Sequence, residues 1–473
     1  MAELLHNINE AIWTYVLIGA LSLCGLWFTW KTRFVQFRMI GEMIRLLADS
    51  GKTASASDAD KADKQHQVSS FQAFAVSVAT RIGTGNLAGV ATAIAVGGPG
   101  AIFWMWMIAL LGSATAFVES TLAQLFKQRS FGSFIGGPAY YIMRGLHSKW
   151  MAYLFAVLMT LTFGLSYNSI QSNTICGAMQ QAFGWNPLVV GIILSVIALI
   201  IVFGGIHRIA KVSSVVVPLM AIGYFVLALV IIVLNIQHIP HVVKVIVTNA
   251  FGIEQGLGGS FGAMVMIGVR RGLFSNEAGE GSAPNVAATA TVSHPVKQGL
   301  IQALGVFTDT LLVCSCTAFI SLLSGLYEVP ELNGIALTQA AIGCEVGALG
   351  PIFVAVAIFL FAFSSIIGNY YYGESNIRFI THDHRVLLVF RLLSGGVMVM
   401  FGALASLEVV WSIGDVFMAL VTACNLVAIV FLGKYVFRLL RDYRQQKHSG
   451  IKDPTFHRSK LPEIEQDIEC WGD

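Results

Sequence analysis

Residues 80–89 read Thr-Arg-Ile-Gly-Thr-Gly-Asn-Leu-Ala-Gly, in the middle of an apolar segment that runs from about 68 to 97. A segment of that length can span a bilayer, which takes about 20 apolar residues. A continuous helix would gain nothing from such a centre. Each glycine weakens a helix by about 1 kcal/mol relative to alanine, and arginine at the bilayer midplane costs at least about 2.5 kcal/mol on insertion scales. The reading that resolves this is a helix broken at Gly83 to Gly85. Broken backbone at membrane depth survives only when it is buried in protein or lines a cavity, so the break marks a candidate binding site. A second interruption, Arg270-Arg271-Gly272-Leu273-Phe274-Ser275-Asn276-Glu277-Ala278-Gly279-Glu280-Gly281-Ser282, falls in the apolar segment 258–291. Two interrupted segments in corresponding positions of two halves are the arrangement of a secondary transporter.

Composition fits. Of 473 residues 56% are hydrophobic and only 12% charged, against roughly 25% charged in soluble domains. The chain reads as an all-α integral membrane protein with about 11 transmembrane helices. Expected spans are 11–30, 68–97, 100–126, 150–178, 187–205, 210–235, 258–291, 298–326, 350–373, 385–405 and 409–437. Residues 1–30 hold an extra N-terminal helix with acidic residues before it and basic ones after, the reverse of a cleavable signal. A basic loop with an amphipathic helix follows at 31–67. A first half then covers 68–235, an outer interfacial segment 236–257, a second half 258–437 and a polar tail 438–473. Segment 331–347 reads as an outer re-entrant or gate element. Set the first helix aside and the interrupted helices become numbers 1 and 6 of ten. An odd separation of five inverts one half against the other, giving a five-plus-five inverted repeat.

Charge distribution orients the chain. With 31–67 in the cytoplasm, the inner loops and tail take nearly all the lysine and arginine, and the outer loops keep only Lys244. The N-terminus is then outside and the C-terminus cytoplasmic. The seven cysteines show neither disulfide nor zinc spacing. Gly83-x-Gly85-x-x-Ala88 loosely matches a dinucleotide fingerprint, but that motif needs a preceding strand and an acidic residue about 20 positions on, where this chain has Trp106. No nucleotide, nucleic acid or cofactor is expected.

The broken helices offer specific chemistry. A fresh helix N-terminus near Gly85 and Asn86 presents free N–H groups and a positive dipole end to an anion such as a carboxylate. The preceding helix end presents the carbonyls of Ala79, Thr80 and Ile82, suited to a hard cation such as Na⁺. In helix 6 the first half is expected to end near Arg271 and Gly272, with Ser275 capping the second and Glu277 in its first turn. Ser364 and Ser365 supply paired hydroxyls in an apolar helix, and Asn168 and Gln171 belong to an amide-rich patch at membrane depth. Arg81, Arg271, Glu277 and Glu280 form an expected charge network, with Arg81 paired to Glu277 or Glu280 across the two breaks.

At these residues the chain resembles the alanine or glycine:cation symporters of bacteria and archaea. The matching stretches are Thr80 to Val90, Gly97-Gly98-Pro99-Gly100-Ala101, Gly136-Gly137-Pro138-Ala139-Tyr140-Tyr141, Leu273 to Asn285 except positions 280 and 283, and Phe361-Ala362-Phe363-Ser364-Ser365-Ile366. The resemblance covers nearly the whole chain and implies a leucine-transporter-type fold with Na⁺-driven uptake of alanine or glycine, D-alanine included, through the cytoplasmic membrane. It implies a substrate carboxylate at Gly83, Thr84, Gly85 and Asn86, an amino group at Gly272 to Asn276, and sodium at Ala79, Ile82, Ser364 and Ser365. Gln171 and Phe274 would close the pocket.

Other classes fit less well. A channel would have a continuous polar lining. An enzyme would need a catalytic cluster, yet Ser275 has no base nearby in the sequence and His294 precedes Pro295 in a loop. Within transporters, the alternative is a proton-coupled symporter using Glu277 or Glu280.

Overall fold

The computed structural model describes residues 9–56, 68–130, 133–251 and 259–472. The basic loop expected at 31–67 lies partly outside the described residues. In chain order the helices are α1 (Asn9–Lys31), α2 (Ile40–Ala56), α3 (Ser70–Arg81), α4 (Gly85–Gly97), α5 (Ala101–Leu125), α6 (Pro138–Gly145), α7 (Lys149–Phe183), α8 (Pro187–Val202) and α9 (Gly205–Leu234). They continue as α10 (Ile239–Ala250), α11 (Gly259–Asn276), α12 (Ala283–Ala287), α13 (Pro295–Ser324), α14 (Ile335–Val346), α15 (Leu349–Ile380), α16 (His384–Leu404) and α17 (Leu407–His448). A short antiparallel hairpin, β1 (Gln128–Ser130) with β2 (Ser133–Ile135), joins α5 to α6.

Local sequence sets many of these boundaries. Ser69 caps α3 reciprocally with Gln72, satisfying two orphan backbone donors at once. Asn186, His294 and Asp383 each accept a backbone N–H at a helix start, and Pro187 and Pro295 open their helices where a missing N–H costs nothing. Gly184 and Gly325 take left-handed backbone just past α7 and α13 and stop them.

Among the described residues, seven helices are long and apolar enough to cross a membrane, and a pair bent by 102°, Ala221–Leu234 with α10, would make eight. The count falls below the eleven spans read from the sequence because several candidates are individually short: α3 has 12 residues and α8 has 16. The outward surfaces of α8 and α9 expose Ile192, Val196, Ile222 and Val233, apolar residues that suit a lipid-facing wall.

The interior is unusually polar. Arg81, Glu119, Glu277, Glu280 and Asp309 are all buried, which at membrane depth marks functional or network positions. α17 runs through His448, past the expected end at 437. The chain then folds back across that end of the bundle. Phe456 N–H donates to Ser293 O at 2.9 Å, and Trp471 Nε1 donates to Gln124 O at 3.1 Å.

Candidate functional site

The break in the first core helix falls where the sequence places it. α3 stops at Arg81, Ile82 is extended (φ −75°, ψ 92°), and α4 begins at Gly85. Every residue of the break is buried, so its backbone groups need partners. Thr84 N–H and Thr84 Oγ1 both donate to Gln171 Oε1 of α7, at 3.0 and 2.7 Å. Gly83 N–H donates to Asn86 Oδ1 at 3.0 Å, which turns the Asn86 amide so that Nδ2 donates to Asp309 Oδ1 at 2.7 Å.

Glycine at 83 is a steric requirement. A Cβ there would lie 2.4 Å from Ser365 Oγ and 3.0 Å from Gln171 Oε1. The break thus touches α7 and α15 at one point. At the same point Ser365 Oγ and Ser364 Oγ donate to Ala79 O at 2.9 and 3.3 Å. Both hydroxyls also bond back to Phe361 O of their own helix. Two hydroxyls and a freed carbonyl therefore converge across α3 and α15.

The second break differs from expectation. α11 is continuous through Asn276, so Ser275 is not a helix cap and Gly272 is not a terminus. Gly272 instead lets α11 approach Met105 and Ile108 of α5, where a Cβ would lie 2.7 Å from Ile108. The break runs from Glu277 to Ser282. Glu277, Gly279 and Gly281 have φ of 56°, 98° and 79°, a left-handed run that glycine tolerates and glutamate does not favour. Glu119 of α5 holds this loop, accepting from Gly279 N–H and Gly281 N–H at 3.2 Å each and from Asn425 Nδ2 at 2.8 Å. Backbone N–H groups in such a run form an anion-binding nest, here filled by a carboxylate of the protein.

Several expected site residues do come together. Gly85 lies against Phe274 and Ser275, where a Cβ would sit 2.9 Å from Ser275 Cα. Ser275 Oγ donates to Asp309 Oδ2 at 2.8 Å, so Asp309 ties the two interrupted helices through Asn86 and Ser275. Phe274 is clamped between Tyr167 (centroids 4.8 Å) and Trp411 (4.6 Å). Others stand apart. Asn168 donates to Ser394 Oγ of α16 at 2.9 Å, facing away from the break. Asn276 caps the end of α11, its Oδ1 accepting Ala278 N–H at 3.0 Å.

The charge network also divides. Arg271 pairs with Asp415 of α17 and stacks over Trp411 at 4.1 Å, with Arg270 Nη1 at 3.5 Å from the same carboxylate. This is a separate cluster from the glutamates. Arg81 forms no ion pair with Glu277 or Glu280. Its Nη1 donates to Gln302 O at 3.3 Å and lies against α13 where Gly305 leaves room. Glu277 instead accepts from Ser282 Oγ at 2.6 Å and Thr80 Oγ1 at 3.3 Å, and Glu280 from Tyr167 Oη at 3.2 Å.

Glu119, Asp309, Asp415 and Tyr167 are absent from the site residues expected from the sequence. A lone acid in an apolar run was the available signal for Asp309, because such a group needs a partner. The gate element expected at 331–347 meets the site from another side: Thr338 Oγ1 of α14 donates to Leu87 O at 3.0 Å.

The family described as the sodium:alanine symporter family matches residues 1–458. The chain belongs to that family. Two Bacillus subtilis relatives match all of it: the probable sodium/glutamine symporter GlnT (50% identical, 97% of its length) and the amino-acid carrier protein AlsT (47% identical, 98% of its length). The sodium/alanine symporter AgcS of Methanococcus maripaludis is 34% identical over 95% of this chain and 99% of its own. A solved structure of the Eremococcus coleocola manganese transporter, in complex with an aromatic bis-isothiourea substituted compound, superposes with a TM-score of 0.52 at 14% identity, covering 87% of this chain and 88% of that one. That likeness shows a shared fold. As a sodium:alanine symporter family member, the chain is a multi-pass membrane transporter and not an enzyme.

Proposed function

We propose that this family member is a Na⁺-driven symporter of small neutral amino acids, alanine and glycine first, D-alanine included. It works by alternating access in a five-plus-five inverted-repeat, leucine-transporter-type fold with the extra helix α1. Its N-terminus lies outside and its C-terminus in the cytoplasm, in the inner membrane. The observation that carries this reading is the meeting of Gly83, Gln171 and Ser365 at one break, beside the hydroxyl pair on Ala79 O.

Sodium is coordinated by the carbonyls of Ala79 and Ile82 and the hydroxyls of Ser364 and Ser365, joining α3 to α15. The substrate carboxylate meets the N–H groups of Thr84 to Asn86, the positive end of α4. Gln171 Oε1, which holds Thr84 N–H and Oγ1, stands where a carboxylate oxygen would, and substrate displaces it. The amino group faces the Ser275 hydroxyl, which lies beside Gly85, and the backbone carbonyls at the end of α11. Phe274, held by two aromatic rings, closes the pocket.

Glutamine is the second reading, favoured by the name of the 50%-identical relative. Proton coupling is the third, since two relatives carry sodium/proton-dependent alanine carrier names. The test is uptake of labelled alanine, glycine and glutamine into proteoliposomes under an inward Na⁺ gradient, a pH gradient, or K⁺ in place of Na⁺. Na⁺-dependent accumulation of alanine supports the proposal. Accumulation driven only by the pH gradient replaces the coupling ion, and glutamine uptake without alanine uptake replaces the substrate.

A further inference from the structure

We propose that the chain binds the phosphate headgroup of an anionic phospholipid in a basic pocket between the turn after α1 and the end of α17. The pocket has a volume of about 1100 Å³ and lies between residues 31–42 and 437–449. Lys31, Arg33, Arg38, Arg441, Arg444 and Lys447 line it.

Its single lining carboxylate is already committed. Glu42 accepts from Arg45 at 2.7 and 2.8 Å and from Tyr443 Oη at 2.6 Å, with Lys447 at 3.3 Å. Among the described residues, Arg33, Arg38, Arg441 and Arg444 then have no carboxylate partner. Arg33, Arg38 and Arg441 are exposed and Arg444 is half-buried, so their forks are free to meet phosphate oxygens bidentately.

The turn is built at a conformational cost. Arg33 and Phe34 are consecutive non-glycine residues with φ of 56° and 59°, a backbone that persists where the surroundings enforce it and that clusters at ligand sites. Arg33 lines the pocket, while Phe34 is 51% exposed.

Position selects a lipid over a soluble phosphate. Next to the pocket, Trp27 and Trp30 end α1, and Trp30 is 65% exposed. Exposed tryptophans at the end of a spanning helix mark the headgroup level. Leu23 and Leu26 continue an exposed apolar face along α1, and Phe37 and Ile44 extend it beside the turn. A headgroup in the pocket can therefore lay its acyl chains on α1. Basic clusters just beyond a membrane span attract anionic lipid by the same electrostatics.

The test uses the purified full-length protein in detergent. Native mass spectrometry would titrate phosphatidylglycerol, cardiolipin and phosphatidylcholine, and a thermal-shift arm would titrate inorganic phosphate. The variants are Arg33→Gln with Arg444→Gln, the charge-preserving Arg33→Lys with Arg444→Lys, and, as a control outside the pocket, Arg438→Gln, whose side chain pairs with Glu463. Expected is retention of the anionic lipids but not phosphatidylcholine, at least tenfold weaker in the Gln pair, intermediate in the Lys pair, and unchanged in Arg438→Gln. Equal lipid retention by the Gln pair and the unmodified chain overturns the site. Equal retention of phosphatidylcholine overturns the headgroup chemistry. Protection by inorganic phosphate as strong as by lipid overturns the lipid and leaves a free-phosphate site. A Gln pair that elutes aggregated leaves the decision to the Lys pair, which must then bind more weakly than the unmodified chain for the proposal to stand.

Discussion

Replacing Gly83 with alanine would place a methyl carbon 2.4 Å from Ser365 Oγ and 3.0 Å from Gln171 Oε1. Neither distance is tolerable for carbon and oxygen, and the hydroxyl is the softer neighbour. Rotating it away breaks the 2.9 Å bond to Ala79 O and leaves that buried acceptor with only the longer 3.3 Å bond from Ser364 Oγ, a loss of about 1 kcal/mol. Overpacking of a tight interior costs about 1–3 kcal/mol when nothing can move. A middle value of about 2 kcal/mol corresponds to roughly 30-fold in an equilibrium constant. If the displaced hydroxyl is a sodium ligand, that factor should appear in the Na⁺ concentration for half-maximal uptake. The assay is Na⁺-titrated alanine uptake in proteoliposomes for Gly83→Ala, Ser365→Ala and the pair. Ser365→Ala alone should also weaken Na⁺ dependence, and in its background Gly83→Ala should add little, because the clashing oxygen is gone. Contacting residues are expected to couple in this way. Full, additive damage from Gly83→Ala in the Ser365→Ala background would refute the steric reasoning. Unchanged Na⁺ dependence in Ser365→Ala would remove α15 from the cation site.

Thr84→Val keeps the side-chain shape but deletes the hydroxyl that donates to Gln171 at 2.7 Å and that, once substrate displaces Gln171, would donate to the carboxylate. We expect KM for alanine to rise about fivefold to tenfold, roughly the about 1 kcal/mol of one hydrogen bond, while normal affinity would mean that only backbone groups serve there. Arg271→Met leaves Asp415 buried beside Arg270 alone, at 3.5 Å. The melting temperature in detergent should fall by the equivalent of about 3 kcal/mol, and adding Asp415→Asn should recover most of it; an unshifted melt would show the pair to be dispensable. Lys127, beyond the end of α5, is pushed by burial from its ordinary 10.5 down to about 7. The folded chain then binds fewer protons there than the unfolded one, so stability should rise as pH climbs from 7 toward 10.5, measured as melting temperature against pH. Lys127→Met should flatten that rise, and an equally steep profile in the variant would assign it to other groups.

Much of the architecture was legible in one dimension because the bilayer imposes simple rules. Apolar runs of bilayer length mark spans whatever they pack against. Glycine, asparagine and arginine at the centre of one run could only mean interrupted backbone, and α3 does stop at Arg81. Ser364 and Ser365 were visible as paired hydroxyls in an apolar helix, and they do meet Ala79 O.

Tertiary structure alone decided the second break and the pairing of charges. Gly272, Gly279 and Gly281 look alike in a string, yet the first gives α11 room beside Ile108 and the others carry left-handed backbone. What separates them is Glu119, about 160 residues away, whose carboxylate holds the Gly279 and Gly281 N–H groups. Arg271 found its partner 144 positions off in Asp415, while Arg81, adjacent to the expected glutamates by chain logic, was drawn to the Gln302 carbonyl on α13. A sequence states that a buried charge needs a partner, because desolvation is expensive wherever it occurs. Which partner it takes depends on which helices pack within reach, and that is fixed only when the bundle closes.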